Sequence, residues 1–171
     1  MEKTFLLEEE ELKLNFAGKI LYRQCADTVK KISLELGGKS PVVVYETADL
    51  DSAVESVVDA IWFNQGQVCS AGSKLLVHEA VFDKMVAKLK SRLQRGFRIG
   101  TSLDKAFDMG AIVSEGQRKS IAAYVDEAKE EGADVFQIDC PEGCYYPPTL
   151  ITGVSTASKS DNTGTCFGCN L

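Results

Sequence analysis

Histidine is almost missing from this chain: of 171 residues only His78 carries an imidazole, against 19 lysines and arginines and 25 aspartates and glutamates. The scarcity of basic residues and the net charge of −6 leave no basic stripe, so nucleic-acid binding has no electrostatic footing. No apolar run approaches the roughly 20 residues needed to cross a bilayer as a helix. The first residues lack a secretory apolar core, and Glu8-Glu9-Glu10-Glu11 follows at once, unlike an organelle-targeting leader. A cytoplasmic chain is the expectation, and its six cysteines are then expected to be thiols. With 44% hydrophobic and 26% charged residues, the composition is that of an ordinary globular domain or a piece of a larger one.

Periodicity organises the middle of the chain. Residues 1–16 show no clear pattern, and their acid run reads as solvated. Ile20, Leu21 and Cys25 sit at helical spacing, and Ile32, Leu34 and Leu36 alternate with Ser33 and Glu35 as in a strand. After Gly37-Gly38, the β-branched run Pro41-Val42-Val43-Val44-Tyr45 predicts a strand covered on both faces. Asp49, preceded by Thr47, is placed to cap a helix carrying Leu50, Val54, Val57, Val58, Ile61 and Trp62. Residues 74–77 read as a short strand and about 80–95 as a helix with Val81, Phe82, Met85, Val86, Leu89 and Leu93 on one face. A third helix is expected from Ser114 to Gly132, where glycine suits the stop, followed by strands near 134–138 and 149–154. Strands alternating with helices of this length predict an α/β fold with a parallel sheet. Residues 155–171, rich in Ser, Thr, Asn, Gly and Cys, change character and read as a tail.

Two stretches carry chemistry. In Phe63-Asn64-Gln65-Gly66-Gln67-Val68-Cys69-Ser70-Ala71-Gly72, a cysteine stands in a turn of small residues just after an amphipathic helix. A lone cysteine is usually a small buried hydrophobe. Here its neighbours leave room for a carbonyl compound, and backbone N–H groups are at hand for an oxyanion. In Leu34-Glu35-Leu36-Gly37-Gly38-Lys39, a carboxylate precedes a glycine pair that a ligand can approach closely. Partial burial would raise the pKa of Glu35 toward that of a useful base. A thiol nucleophile with a general base is a recipe for acyl transfer.

Together these stretches resemble the glutamate and cysteine signatures of the aldehyde dehydrogenase superfamily, in order and separation. The similarity runs through Asp108-Met109-Gly110 to Tyr146-Pro147-Pro148-Thr149 and covers roughly residues 17–153. Tyr145-Tyr146-Pro147-Pro148-Thr149-Leu150 and Phe136-Gln137 lean toward its family-16 branch. The resemblance implies that Cys69 adds to an aldehyde carbon to give a thiohemiacetal. Hydride loss to the nicotinamide of NAD or NADP then leaves a thioester, and Glu35 activates the water that hydrolyses it. It also implies that the Cys69 N–H serves the oxyanion and that Leu36 and Gly37 lie against the nicotinamide end of the cofactor. Residues 1–35 would close a dinucleotide-binding domain, 36–154 would begin the catalytic domain, and 155–171 would stand outside the pattern. Members of the family are homo-oligomers, but the arm that pairs their subunits has no counterpart here. Neither do the phosphate-facing glycines, so weak NAD binding is the expectation for this chain alone. A small-molecule aldehyde is the implied partner; the alternatives are a silent fragment acting through protein contacts and a cysteine-dependent esterase.

Other residues are assigned plainer roles. Cys140, Cys144, Cys166 and Cys169 have C-x3-C and C-x2-C spacings that some zinc sites use, but they flank an ordinary strand, and no metal site is expected. His78 is expected to face solvent, Cys25 to pack, and Lys39 to be a surface lysine.

Overall fold

The computed structural model describes residues 9–34, 36 and 38–153. Helix α1 (Glu9–Ala26) is followed by β1 (Pro41–Val44), α2 (Leu50–Trp62), β2 (Lys74–Val77), α3 (Glu79–Gly96), α4 (Glu115–Glu130), β3 (Asp134–Gln137) and β4 (Thr149–Thr152). Helix α1 begins at Glu9, inside the stretch expected to be patternless. Its helical propensity needs no apolar stripe, since Glu, Leu and Lys are good helix formers.

Strands β1 and β2 pair in parallel, Pro41 opposite Lys74 through Val44 opposite Val77, with α2 as the crossover. Strands β3 and β4 form a separate antiparallel pair, Asp134 opposite Thr152 and Gln137 opposite Thr149. The expected α/β organisation and parallel pairing are therefore present, and the antiparallel pair departs from an all-parallel sheet. Helix α2 is the crossover between the paired strands β1 and β2, whereas residues 138–148, without a helix, join β3 to β4.

Local chemistry explains the boundaries. The Asp49 carboxylate accepts from the Ser52 N–H at 2.9 Å and caps α2; Ser114 accepts from the Gln117 N–H at 3.1 Å and caps α4. The N-cap of α3 is His78, whose Nδ1 accepts from the Ala80 N–H at 3.3 Å while Nε2 lies 2.7 Å from Glu46. The imidazole read as merely solvent-facing thus starts a helix. Gly132 follows α4 with φ +90°.

Two clusters form the interior. One gathers Val54, Val57, Val58, Ile61 and Trp62 of α2 with Met85, Leu89 and Leu93 of α3, and takes in Val44, Phe97, Ile99, Met109 and Leu150. The second gathers Ile121, Val125 and Ala128 of α4 with Ile112, Tyr146 and Ile151. Neighbouring residues of β4 therefore point into different cores, as the pleat requires. The Trp62 ring meets Phe97 edge-on, with centroids 5.9 Å apart, and its buried Nε1 has no hydrogen-bond partner in the structure.

The parallel pair differs from expectation on one face. Val43, Tyr45 and Leu76 are exposed, so β1 is covered on one side only among the described residues. Ile32, Leu34 and Leu36 are half-buried, with Lys31 and Ser33 exposed, and none of these described residues is in a strand. Leu34 and Leu36 instead approach α1 at Gly18, where a Cβ would stand 3.1 Å from Leu34 Cδ1. Extended chain with no hydrogen-bonded neighbour is not a strand, whatever its side-chain pattern. The tail read at 155–171 lies outside the described residues, as does the end of the strand expected to reach 154.

Candidate functional site

The cysteine turn is built by what precedes it. Helix α2 ends at Trp62, where the Phe63 N–H still bonds to the Asp59 carbonyl. The backbone then passes through left-handed conformations at Asn64 (φ 49°, ψ 40°) and Gln65 (φ 59°, ψ 26°) and at Gly66 (φ 71°). This reverses the chain and delivers Cys69 to the surface, exposed, in a turn closed by the Ala71 N–H on the Val68 carbonyl at 2.9 Å. Gly72 pins the far end: its N–H bonds to the Ala60 carbonyl at 2.9 Å, and a Cβ there would lie 2.2 Å from Val42 Cγ2. Only glycine lets the turn pass this close to β1.

The glycine-pair stretch reaches the same place from the other side. Ser40 Oγ donates to the Cys69 carbonyl at 3.3 Å, and the Ser40 carbonyl accepts from the Lys74 N–H at 3.2 Å. Ser40, two residues after Gly38, thereby brackets the cysteine turn at both ends. Around Gly38 itself nothing lies within 4 Å of where a Cβ would be. Lys39, read as a surface lysine, is half-buried: its ammonium donates to the Tyr124 hydroxyl at 3.4 Å and stands 5.9 Å from the ring centre, tying this loop to α4. Glu35 and Gly37 lie outside the described residues, and Leu36 is half-buried.

Beside the turn is a cleft of about 590 Å³, lined by Asn64, Gln65, Gln67, Ala111, Val113 and Gln117. Among the described residues its walls carry amides and aliphatic groups and no ionisable side chain. The two glutamines of the turn are the functional positions that sequence reading missed. The polar pattern x-Gln-Gly-Gln was visible, but its partners lie more than 40 residues downstream.

The remaining thiols are set differently. Cys25, Cys140 and Cys144 are half-buried and free, like the exposed Cys69. Burial pushes the Cys140 thiol up from its usual range, partly offset by Arg118, and Cys144 Sγ donates to the Ile112 carbonyl at 3.3 Å. Cys166 and Cys169 lie outside the described residues. The Glu115 carboxyl is held below its ordinary range by its hydrogen bond from Arg118.

The family model for the aldehyde dehydrogenase family matches residues 15–168. The chain belongs to the aldehyde dehydrogenase family. It is 38% identical over 146 residues to a probable betaine aldehyde dehydrogenase of Schizosaccharomyces pombe, covering 83% of this chain and 29% of that protein. It is 39% identical over 147 residues to aminoaldehyde dehydrogenase 1 of Pisum sativum, a peroxisomal protein, again 83% of this chain and 29% of the relative. The crystal structure of betaine aldehyde dehydrogenase from Staphylococcus aureus, in complex with NAD+, superposes with a TM-score of 0.81 at 33% identity, over 91% of this chain and 32% of that one. An aldehyde dehydrogenase from Bacillus cereus, also with NAD+, gives the same TM-score and coverage. The chain thus spans about 30% of the length of the dehydrogenases it matches. Among the described residues no helix is long and apolar enough to cross a membrane.

Proposed function

We propose that this chain contributes the nucleophile and the water-activating base of an aldehyde oxidation that yields a carboxylic acid with NAD or NADP. The observation that carries this reading is the Ser40–Cys69 contact, because it joins the glycine-pair stretch to an exposed thiol at one edge of β1 and β2. Cys69 is the nucleophile: its thiolate adds to the aldehyde carbon, and the oxygen takes up negative charge. Backbone N–H groups of the turn, that of Cys69 among them, are positioned locally to stabilise it. Glu35 is the base that removes a proton from the water attacking the resulting thioester.

Leu36 and Gly37 would be the contacts of the nicotinamide end of the cofactor, and among the described residues no atom lies within 4 Å of where a Cβ of Gly38 would be. When bound there, NAD or NADP supplies the hydride acceptor. The substrates named for the relatives, betaine aldehyde and phenylacetaldehyde among them, are the first aldehydes to try. Among the described residues the cleft is lined by amides and aliphatic groups, which suits a neutral substrate. Tyr145 to Leu150 and Phe136-Gln137 support placement in the family-16 branch.

The test is NADH formation from these aldehydes by the chain and by its Cys69→Ala and Glu35→Gln variants. Activity lost in the first and stalled at the thioester in the second supports the proposal. Hydrolysis of p-nitrophenyl acetate that depends on Cys69, with no NADH formed, assigns an esterase instead. A chain that does neither acts, if at all, through protein contacts.

A further inference from the structure

We propose that Gln65 and Gln67 are positioning residues that fix the Cys69 turn, through side-chain amides bonded to the backbone of residues 110–113. Asn64, Gln65 and Gly66 form three successive left-handed residues, two of which carry side chains. Such a run persists only when surrounding contacts over-determine it.

Those contacts converge here. With the Gln65 amide turned so that its oxygen faces the Gly110 N–H, the orientation that satisfies both of its ends, that oxygen accepts at 2.8 Å and the nitrogen donates to the Ala111 carbonyl at 3.3 Å. Gln67 Oε1 accepts from the Val113 N–H at 3.1 Å. Within the turn, Asn64 Nδ2 donates to the Gln67 carbonyl at 3.2 Å, and the Gln67 N–H returns to the Asn64 carbonyl at 3.0 Å. The receiving segment is itself anchored from behind, since the Ile112 N–H bonds to the Cys144 carbonyl at 2.7 Å and Ile112 is buried. The glutamines therefore span from the helix that feeds the nucleophile to a backbone held by the second core. Cys69 follows Gln67 by two residues, so the height and direction of its thiol are set by these bonds.

The inference rests on the proposed function only in naming Cys69 as the reacting group, and its test needs neither aldehyde nor cofactor. In the full chain, amide exchange read by NMR is expected to show protection at Gly110, Val113 and Ala71. In Gln67→Leu, Val113 and Ala71 should exchange about fivefold faster, the effect of losing one hydrogen bond of ordinary net strength. Val57 and Leu89 in the core should not change. Gln67→Glu keeps an acceptor for the Val113 N–H and should restore both amides. The iodoacetamide rate at Cys69, taken relative to Cys25, should move at least about threefold in the Leu variant and return in the Glu variant. A folded Gln67→Leu in which Ala71 and the Cys69 rate match the parent overturns the proposal. If the Leu variant does not fold, the parent decides: free exchange at Gly110 and Val113 overturns it, and protection supports it.

Discussion

The two strand pairs of this molecule are covered in the opposite way to their usual habit. Parallel strands are normally buried on both faces, yet β1 and β2 leave Val43, Tyr45 and Leu76 exposed. Antiparallel pairs tolerate water on one side, yet in β4 Thr149, Leu150 and Ile151 are all buried, Leu150 in one core and Ile151 in the other. The region that carries Cys69 is thus tightly built along its inner face and open along its outer one. The half that backs it is sealed along β4, while β3 is only partly buried. The thiol's turn is held from the β1 side by Ser40 and Gly72, and the Gln67 amide reaches from it to Val113 beside the sealed half.

The largest effect that would test this comparison is Leu150→Ala. Leu150 is 5% exposed and sits on the seam, so truncation should cost about 2–5 kcal/mol. Because β4 serves both cores, unfolding followed by the fluorescence of Trp62 and by the far-ultraviolet signal should remain one transition. Two separated transitions would show that the cores fold independently.

A smaller effect is expected at alkaline pH. Burial raises both Cys140 and Tyr146, which belong to the sealed half, above their ordinary values. Each group keeps its proton in the folded chain at pH values where the unfolded chain has released it. Their contribution is therefore complete below the unfolded values, near 9 and 10, and is lost as pH rises through the folded ones. Urea midpoints measured from pH 7 to 10.5 should fall over that window, and Cys140→Ser should remove the earlier part of the fall. A midpoint that holds steady in the native chain would contradict the assignment.

The smallest effect belongs to the open face. Val43→Thr and Leu76→Thr keep strand propensity and uncover nothing new, so each should change stability by no more than about 0.5 kcal/mol. The same change at Ile151, 4% exposed, would bury an unpaired hydroxyl and cost far more. If the outward substitutions prove as harmful as the inward one, the face is covered in solution and the contrast drawn here fails.

Local features were legible. Asp49 as a cap, the start of α4 near Ser114, Gly132 as a stop, and most of the apolar faces of α2, α3 and α4 follow from short-range spacing, although Phe82 of the expected α3 face is exposed. Alternation at Ile32, Leu34 and Leu36 predicted the correct buried side but the wrong element, because pleat-like patterning does not supply a pairing partner. His78 and Lys39 were undervalued for a related reason: a cap needs the geometry of the next helix, and the hydroxyl that Lys39 meets is 85 residues away.

By itself, the order of residues determined which side chains share a face, where helices start and stop, and that a thiol and a carboxylate accompany a glycine pair in this family's pattern. Only the tertiary structure decided that Ser40 meets the Cys69 turn, that Gln65 and Gln67 bond to residues 110–113, and that β4 joins two cores. Short-range preferences are written in neighbouring residues, whereas hydrogen bonds between distant segments depend on how completed elements pack. No spacing in the chain records that.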